Sequence, residues 1–335
     1  MISLSLIGAG RIGRIHAANV AARASSHGDI RLAGIADAIP QAAEELAARV
    51  GSKAVGLEEA LEGGTSNAVL IASPTDTHAE FIERAANAGK AIMCEKPVDL
   101  DAGRIRKVLA AVEAKGVKLL VGFNRRFDPN FASLKARIKT GAVGDVELVT
   151  ILSRDPAPPP VSYIERSGGL FRDMMVHDLD MARFLMGEDP VEVHAVGSAL
   201  VDPAIGAAGD VDTAAVLLKT ASGRIAQISN SRRATYGYDQ RIEVHGSKGM
   251  LRAGNVHETT VELANGGGIT ADPVQNFFLE RYEAAYRREL AAFIAVVKGE
   301  QATWPNGHDG LKAQILADAA TASAKSSQPV KLSWS

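Results

Sequence analysis

The first third of the chain is written in short apolar runs separated by segments of helical period. Residues 4–7, 32–36, 68–72, 91–95 and 118–122 carry little polar alternation, the mark of strands covered on both faces. Between them, residues 41–50, 79–88 and 105–115 space their apolar positions as amphipathic helices do. Strands alternating with helices predict a parallel sheet with helices on both sides. Past Phe123 the pattern changes. A helix over 131–139 precedes a strand over 146–153, a loop containing Pro156, Pro158, Pro159 and Pro160, and one helix from about 171 to 186. Longer strands follow over 191–200, 213–220, 224–231 and 240–245. Ser222-Gly223 and Gly246-Ser247-Lys248-Gly249 read as turns between them, so this sheet is expected to be mostly antiparallel. Helices near 281–298 and 311–324 close the chain, and there is no internal repeat.

Length agrees with two cores: 335 residues exceed the roughly 250 at which single cores stop growing. Hydrophobic residues at 46% and charged residues at 23% exclude a disordered chain. A net charge of −2 gives no electrostatic case for nucleic acid or an anionic membrane. The one cysteine, Cys94, excludes an internal disulfide and lies in an apolar run, so it reads as a buried small hydrophobe. The N-terminus reads as a first strand rather than a signal peptide, and no apolar run approaches the ~20 residues of a membrane span. Cytoplasm is the expected location.

Gly8-Ala9-Gly10-Arg11-Ile12-Gly13 fits G-x-G-x-x-G between the first strand and a helix. Gly8 allows the tight turn, Gly10 lets a pyrophosphate approach backbone N–H groups, and Gly13 lets helix and strand pack closely. The phosphate charge then meets a helix N-terminus. Asp37 ends the second strand 24 residues after Gly13, close to the ~20-residue offset of the acid that bonds a ribose 2′-OH. A carboxylate there repels a 2′-phosphate, and no arginine follows it, so NAD is expected over NADP. A helix N-cap is compatible with the same position. The fold class expected is an N-terminal Rossmann domain over 1–122, then an α+β domain over 123–335 whose C-terminal helix packs back on the first.

Glu95-Lys96-Pro97 follows a strand, at the carboxyl end of the sheet where ligands bind in such folds. Lys96 points an ammonium into a cleft or merely into solvent, and Pro97 rigidifies the turn, through a cis peptide in one reading. Asp173 and His177 stand four apart in a helical segment and share a face. A carboxylate beside an imidazole orients it and stabilises the imidazolium, as a base acting on an alcohol requires; a surface ion pair is the plain alternative. Asp178 and Asp180 lack a second histidine or cysteine at ligand spacing, so no metal is expected.

The glycine loop, the Glu-Lys-Pro turn and the Asp173/His177 pair together resemble the Gfo/Idh/MocA oxidoreductase family over essentially the whole chain. The resemblance sharpens at residues 122–128, 153–156 and 236–239. It implies Lys96, Asp173 and His177 as the catalytic set. It implies that Arg11 and Ile12 of the loop, Ala72, Ser73, Pro74, Thr75 and His78 line the cofactor, and that Glu95 and Lys96 reach its nicotinamide ribose. Thr75 and Asp76 could equally cap the next helix. It also implies an NAD-dependent dehydrogenase of a ring polyol, myo-inositol first, with scyllo-inositol or glucose as alternatives, and a homotetramer joined through the second domain's sheet. Arg126, Asp155 and Tyr238 fall at positions implied to contact substrate. Their alternatives are a solvated Arg125–Arg126 pair, a loop residue, and strand packing by Tyr236 and Tyr238. Arg232 and Arg233 are expected on a solvent or subunit face. A non-catalytic cofactor-binding regulator is the rival from another class, and an α/β nucleotide-binding module a third.

Overall fold

The structure is a computed structural model that describes residues 1–301 and 303–334. The chain forms two compact units, one from Met1–Asn124 with Ala285–Gln314, the other from Arg125–Ala284 with Ile315 onward.

In the first unit, β1 (Ile2–Ile7), β2 (Ile30–Ala36), β3 (Ala68–Ile71), β4 (Ala91–Cys94) and β5 (Leu119–Val121) form a parallel sheet in the order β2-β1-β3-β4-β5. All four residues of β3 are 0% exposed, because helices cover both faces, and an unbroken Ala-Val-Leu-Ile run is what such a position requires. Helices α1 (Arg11–His27), α2 (Pro40–Val50), α3 (Leu57–Leu61), α4 (Thr75–Asn87) and α5 (Ala102–Lys115) connect the strands. The order reverses between β1 and β3, so the crevice at their carboxyl ends is the topological switch point where ligands bind. The later residues of this unit close its other edge: Val121 N–H donates to the Pro305 carbonyl at 2.8 Å, and Trp304 Nε1 to the Leu119 carbonyl at 2.9 Å.

The second unit holds α6 (Pro129–Lys139), β6 (Val146–Arg154), α7 (Val161–Ser167), α8 (Gly169–Asp173), α9 (Val176–Met186), β7 (Pro190–Ser198), α10 (Pro203–Ala207), β8 (Thr213–Thr220), β9 (Ile225–Ser231), β10 (Asp239–Gly246) and β11 (Gly249–Ala253). A small hairpin of β12 (Glu262–Asn265) and β13 (Gly268–Ala271) follows, with the short α11 (Phe278–Arg281). The chain then runs through α12 (Glu283–Lys298), most of which belongs to the first unit, and α13 (Gly307–Ser326), which passes from first to second, to β14 (Val330–Lys331). The sheet order is β11-β10-β6-β9-β8-β7-β14, antiparallel except for the parallel β6–β9 pair. β8 alternates buried and exposed residues, so one face of this sheet carries the core and the other lies open.

The expected single helix over 171–186 is two. The regular i→i−4 ladder breaks at Met175, whose N–H reaches back five residues to the Leu170 carbonyl at 2.9 Å, so Asp173 ends α8 and His177 lies in the first turn of α9. α6 starts as its sequence prescribes: the Asp128 carboxylate accepts from the N–H groups of Asn130 and Phe131 at 3.0 and 3.1 Å, with Pro129 at the first helical position. Asp128 is also paired with the buried Arg281.

Candidate functional site

The glycine loop leaves β1 at Gly8, whose φ of +103° is a backbone only glycine adopts without strain. A Cβ on Gly13 would collide with the Gly8 carbonyl, so turn and helix pack with no room for a side chain. Gly10 faces open space and forms the N-cap of α1, with no side chain capping the helix. Open N–H groups at the end of a 17-residue helix suit a pyrophosphate. Asp37 lies just past β2, and its carboxylate accepts from Ala9 N–H at 2.6 Å and Ile39 N–H at 2.8 Å. It therefore ties the loop to the end of the second strand. The cradle fits a dinucleotide.

The other expected cofactor contacts gather at the ends of β3 and β4. Pro74 is the N-cap of α4, so Thr75 and Asp76 lie within its first turn rather than at the cap position. His78 is buried, with its ring nitrogens 2.7 and 2.9 Å from the carbonyls of Pro97 and Ser73. It straps the two loops together rather than offering a nitrogen to a ligand. The Lys96–Pro97 peptide is cis, and Lys96 is half-buried beyond β4. Cys94 is buried, which pushes its thiol well above the usual range.

Two residues the sequence reading passed over stand behind this turn. His16 Nε2 lies 2.8 Å from Glu95 Oε1, and Glu289 of α12 completes a group whose ligand-type atoms lie within 4.8 Å of one another. Two ligands of one tetrahedral ion stand about 3.4 Å apart, so 2.8 Å is hydrogen-bond spacing. Both residues occupy inward positions of otherwise apolar helix faces, which is the signal that could have found them.

In the second unit, Asp155 and Asp173 are half-buried and Tyr238 buried. Burial pushes the Asp155 carboxyl up to about 6; Arg232 and Arg125 pull it down, while Asp173 and Asp178 push it further up. Burial likewise holds the Tyr238 phenol well above its ordinary range, so it stays neutral. The Tyr238 ring meets Tyr282 edge-on at 6.0 Å. Asp173 accepts from the Tyr163 hydroxyl at 3.0 Å and lies 3.7 Å from Arg232 Nη2. His177 is half-buried at the start of α9.

Arg125 and Arg126 are not a solvated pair. Arg125 is buried against Asp178, and Arg126 forms a fork on Asp180 at 2.7 and 2.5 Å, its guanidinium 4.9 Å from the Phe184 ring. Asp178 and Asp180 are thus arginine partners. Nor does Arg232 lie on a solvent or subunit face. It is 1% exposed, whereas Arg233 is exposed, because adjacent residues leaving β9 point to opposite sides. Tyr236 is exposed, its hydroxyl donating to Asp239 at 2.6 Å and accepting from Arg154 at 2.9 Å.

Comparison with known proteins bears on this arrangement. The chain is 52% identical over 331 residues to the inositol 2-dehydrogenase of Rhizobium meliloti (strain 1021), covering 99% of each. A solved structure described as a putative myo-inositol dehydrogenase from Sinorhizobium meliloti 1021 superposes with a TM-score of 0.95, at 52% identity, covering 99% of this chain and 100% of that one. Scyllo-inositol dehydrogenase from Lactobacillus casei, solved with NAD(H) and scyllo-inositol, superposes with a TM-score of 0.91 at 30% identity, covering 99% of both chains. Residues 2–123 match the oxidoreductase family's NAD-binding Rossmann fold, and residues 131–252 match the GFO/IDH/MocA C-terminal domain. With its glycine cradle and both domains accounted for, the chain belongs to the Gfo/Idh/MocA family of NAD-dependent oxidoreductases.

Proposed function

We propose that this chain oxidises myo-inositol with NAD, removing a hydride and a proton from one ring CH–OH to leave 2-keto-myo-inositol. The observation that carries the reading is the polar group of the second unit, where Asp155 interacts electrostatically with Asp173 and with Tyr238. A ring with a hydroxyl on every carbon needs such directed acceptors and donors. The printed names of the Rhizobium and Sinorhizobium proteins support myo-inositol, and the Lactobacillus complex supports scyllo-inositol as the second candidate.

Within this proposal His177 takes the hydroxyl proton, and Asp173 orients its imidazole and stabilises the imidazolium. Lys96 donates to the reacting oxygen as negative charge grows there. NAD, when bound, supplies the hydride acceptor. The first turn of α1 holds its pyrophosphate, and Asp37 its adenosine ribose. Backbone of residues 72–75 and the side chains of Glu95 and Lys96 serve its nicotinamide end. Asp155 and Tyr238 bind further ring hydroxyls, and Arg126 is assigned to holding Asp180. Absorbance at 340 nm with NAD and a panel of inositols and sugars tests the reading. Reduction with glucose but no inositol would overturn it.

The open face of the seven-stranded sheet exposes Leu148, Val196, Leu217 and Ile225, which supports assembly into a homotetramer through that face. No helix among the described residues is long and apolar enough to cross a membrane. That and the lone cysteine support a cytoplasmic location.

A further inference from the structure

Arg232 has no role in the scheme above, yet its charge is buried beside Asp155 and Asp173. The backbone sets it there: Asp155 N–H donates to the Ser231 carbonyl at 3.0 Å, and Arg232 N–H to the Asp212 carbonyl at 2.8 Å. The side chain is 1% exposed, and neither Nε nor Nη2 makes a hydrogen bond among the described residues. Those two nitrogens form one edge of the guanidinium. Arg126 and Arg241 each close that same edge on a carboxylate, at 2.7 and 2.5 Å on Asp180 and at 2.7 and 2.8 Å on Asp239. Arg232 does not. Its nearest carboxylate oxygen, on Asp173, stands 3.7 Å from Nη2, close enough for attraction and too far for a hydrogen bond. A buried donor edge left open is costly unless a ligand completes it.

The surroundings select that ligand. A fork alone would suit an anion, but Asp155 and Asp173 flank this one, so a carboxylate or phosphate would meet two negative charges. Two hydroxyls on neighbouring ring carbons meet neither objection. Each can accept from one guanidinium N–H and donate its own proton to Asp155 or Asp173, using both halves of its hydrogen-bonding capacity. We propose that Arg232 is a substrate-binding residue that reads a vicinal pair of hydroxyls on the polyol through its Nε–Nη2 edge. The inference rests on the polyol dehydrogenase reading and extends it to the residue that determines which ring positions must carry oxygen.

The test compares the wild type with Arg232→Met, which removes the fork, and Arg232→Lys, which keeps the charge beside the two aspartates and guards against misfolding. Each is assayed with myo-inositol and with the monodeoxy-myo-inositols, and NAD binding is followed by fluorescence. Loss of a charged donor predicts a KM for myo-inositol raised about tenfold to a hundredfold in both variants, with NAD affinity unchanged. One or two of the deoxy compounds should lose a similar factor with the wild type and little more with the variants. If every deoxy compound loses the same factor in wild type and variants, or if KM for myo-inositol does not move, Arg232 reads no hydroxyl. A wild type inactive on every inositol overturns the polyol reading itself and this inference with it.

Discussion

Glu289 puts a carboxyl group in the core of the first unit with 0% exposure and no hydrogen bond to either oxygen among the described residues. Its titratable neighbours are Glu95 and His16, and Tyr286 of the same helix packs edge-on against His16 at 5.6 Å. Burial first, and the Glu95 charge second, hold the Glu289 carboxyl well above the ordinary glutamate range. An unfolded glutamate titrates near 4.3. Below that pH both states are protonated and the contribution to stability is complete. As pH rises, the unfolded chain releases the proton while the folded chain keeps it, and stability falls by about 1.4 kcal/mol per pH unit until the folded group ionises. At pH 7 this loss is bounded at roughly 4 kcal/mol.

Glu289→Gln keeps the shape and has nothing to titrate. The buried amide adds an offset of about 1–3 kcal/mol that does not depend on pH. The signature is therefore the slope of the difference: the variant gains on the wild type steadily from about pH 4.5 upward. Thermal unfolding of both proteins from pH 4.5 to 8 reads this at roughly 2–4 °C per kcal/mol for units of this size. Other titrating groups are common to both proteins and cancel. A difference that stays flat across the range would mean that Glu289 titrates alike in the folded and unfolded chain, and the reasoning would fail.

Asp37→Ala removes both the ribose acceptor and the tie to Ala9 N–H, so NAD affinity should fall at least tenfold to a hundredfold, with a smaller loss for NADP; titration of both cofactors checks it. Lys96→Met should lower kcat by roughly a hundredfold while NAD binding changes far less; weak NAD binding with near-normal saturated turnover would restrict Lys96 to the cofactor. Because burial pushes the Asp155 carboxyl up to about 6, kcat/KM for inositol should rise with pH through that value as its carboxylate becomes available to accept hydrogen bonds from ring hydroxyls. Asp155→Asn should lose that limb, which pH profiles of both enzymes would reveal.

The parallel sheet was legible because strands covered on both faces must be apolar throughout, and β1 to β5 fall within a residue or two of the runs that marked them. The break between α8 and α9 was not. Met174 and Met175 keep right-handed helical backbone angles, so the apolar period continues across the interruption in hydrogen bonding. β12 and β13 are exposed at every position and leave no burial pattern to read. The glycine loop was legible because the turn between the first strand and its helix contains it whole. Arg232 was not, because Asp155 and Asp173 come from distant segments that only the folded second unit brings beside it. Solvation was the reasonable expectation for adjacent arginines at a strand end. The folded chain divides Arg232 from Arg233 and Arg125 from Arg126, giving each buried member its own carboxylate neighbour.

At the centre of the chemistry stands the transfer of a hydride from an inositol ring carbon to NAD. Purified protein with NAD and either myo-inositol or myo-inositol deuterated at the carbinol C2 tests it directly, with absorbance at 340 nm and mass spectrometry of the reduced cofactor. NADH should form with both, one deuterium should pass into the cofactor from the labelled substrate, and NADP should give no comparable rate. Absence of NADH formation with myo-inositol, or formation of unlabelled NADH from the deuterated compound, would contradict it.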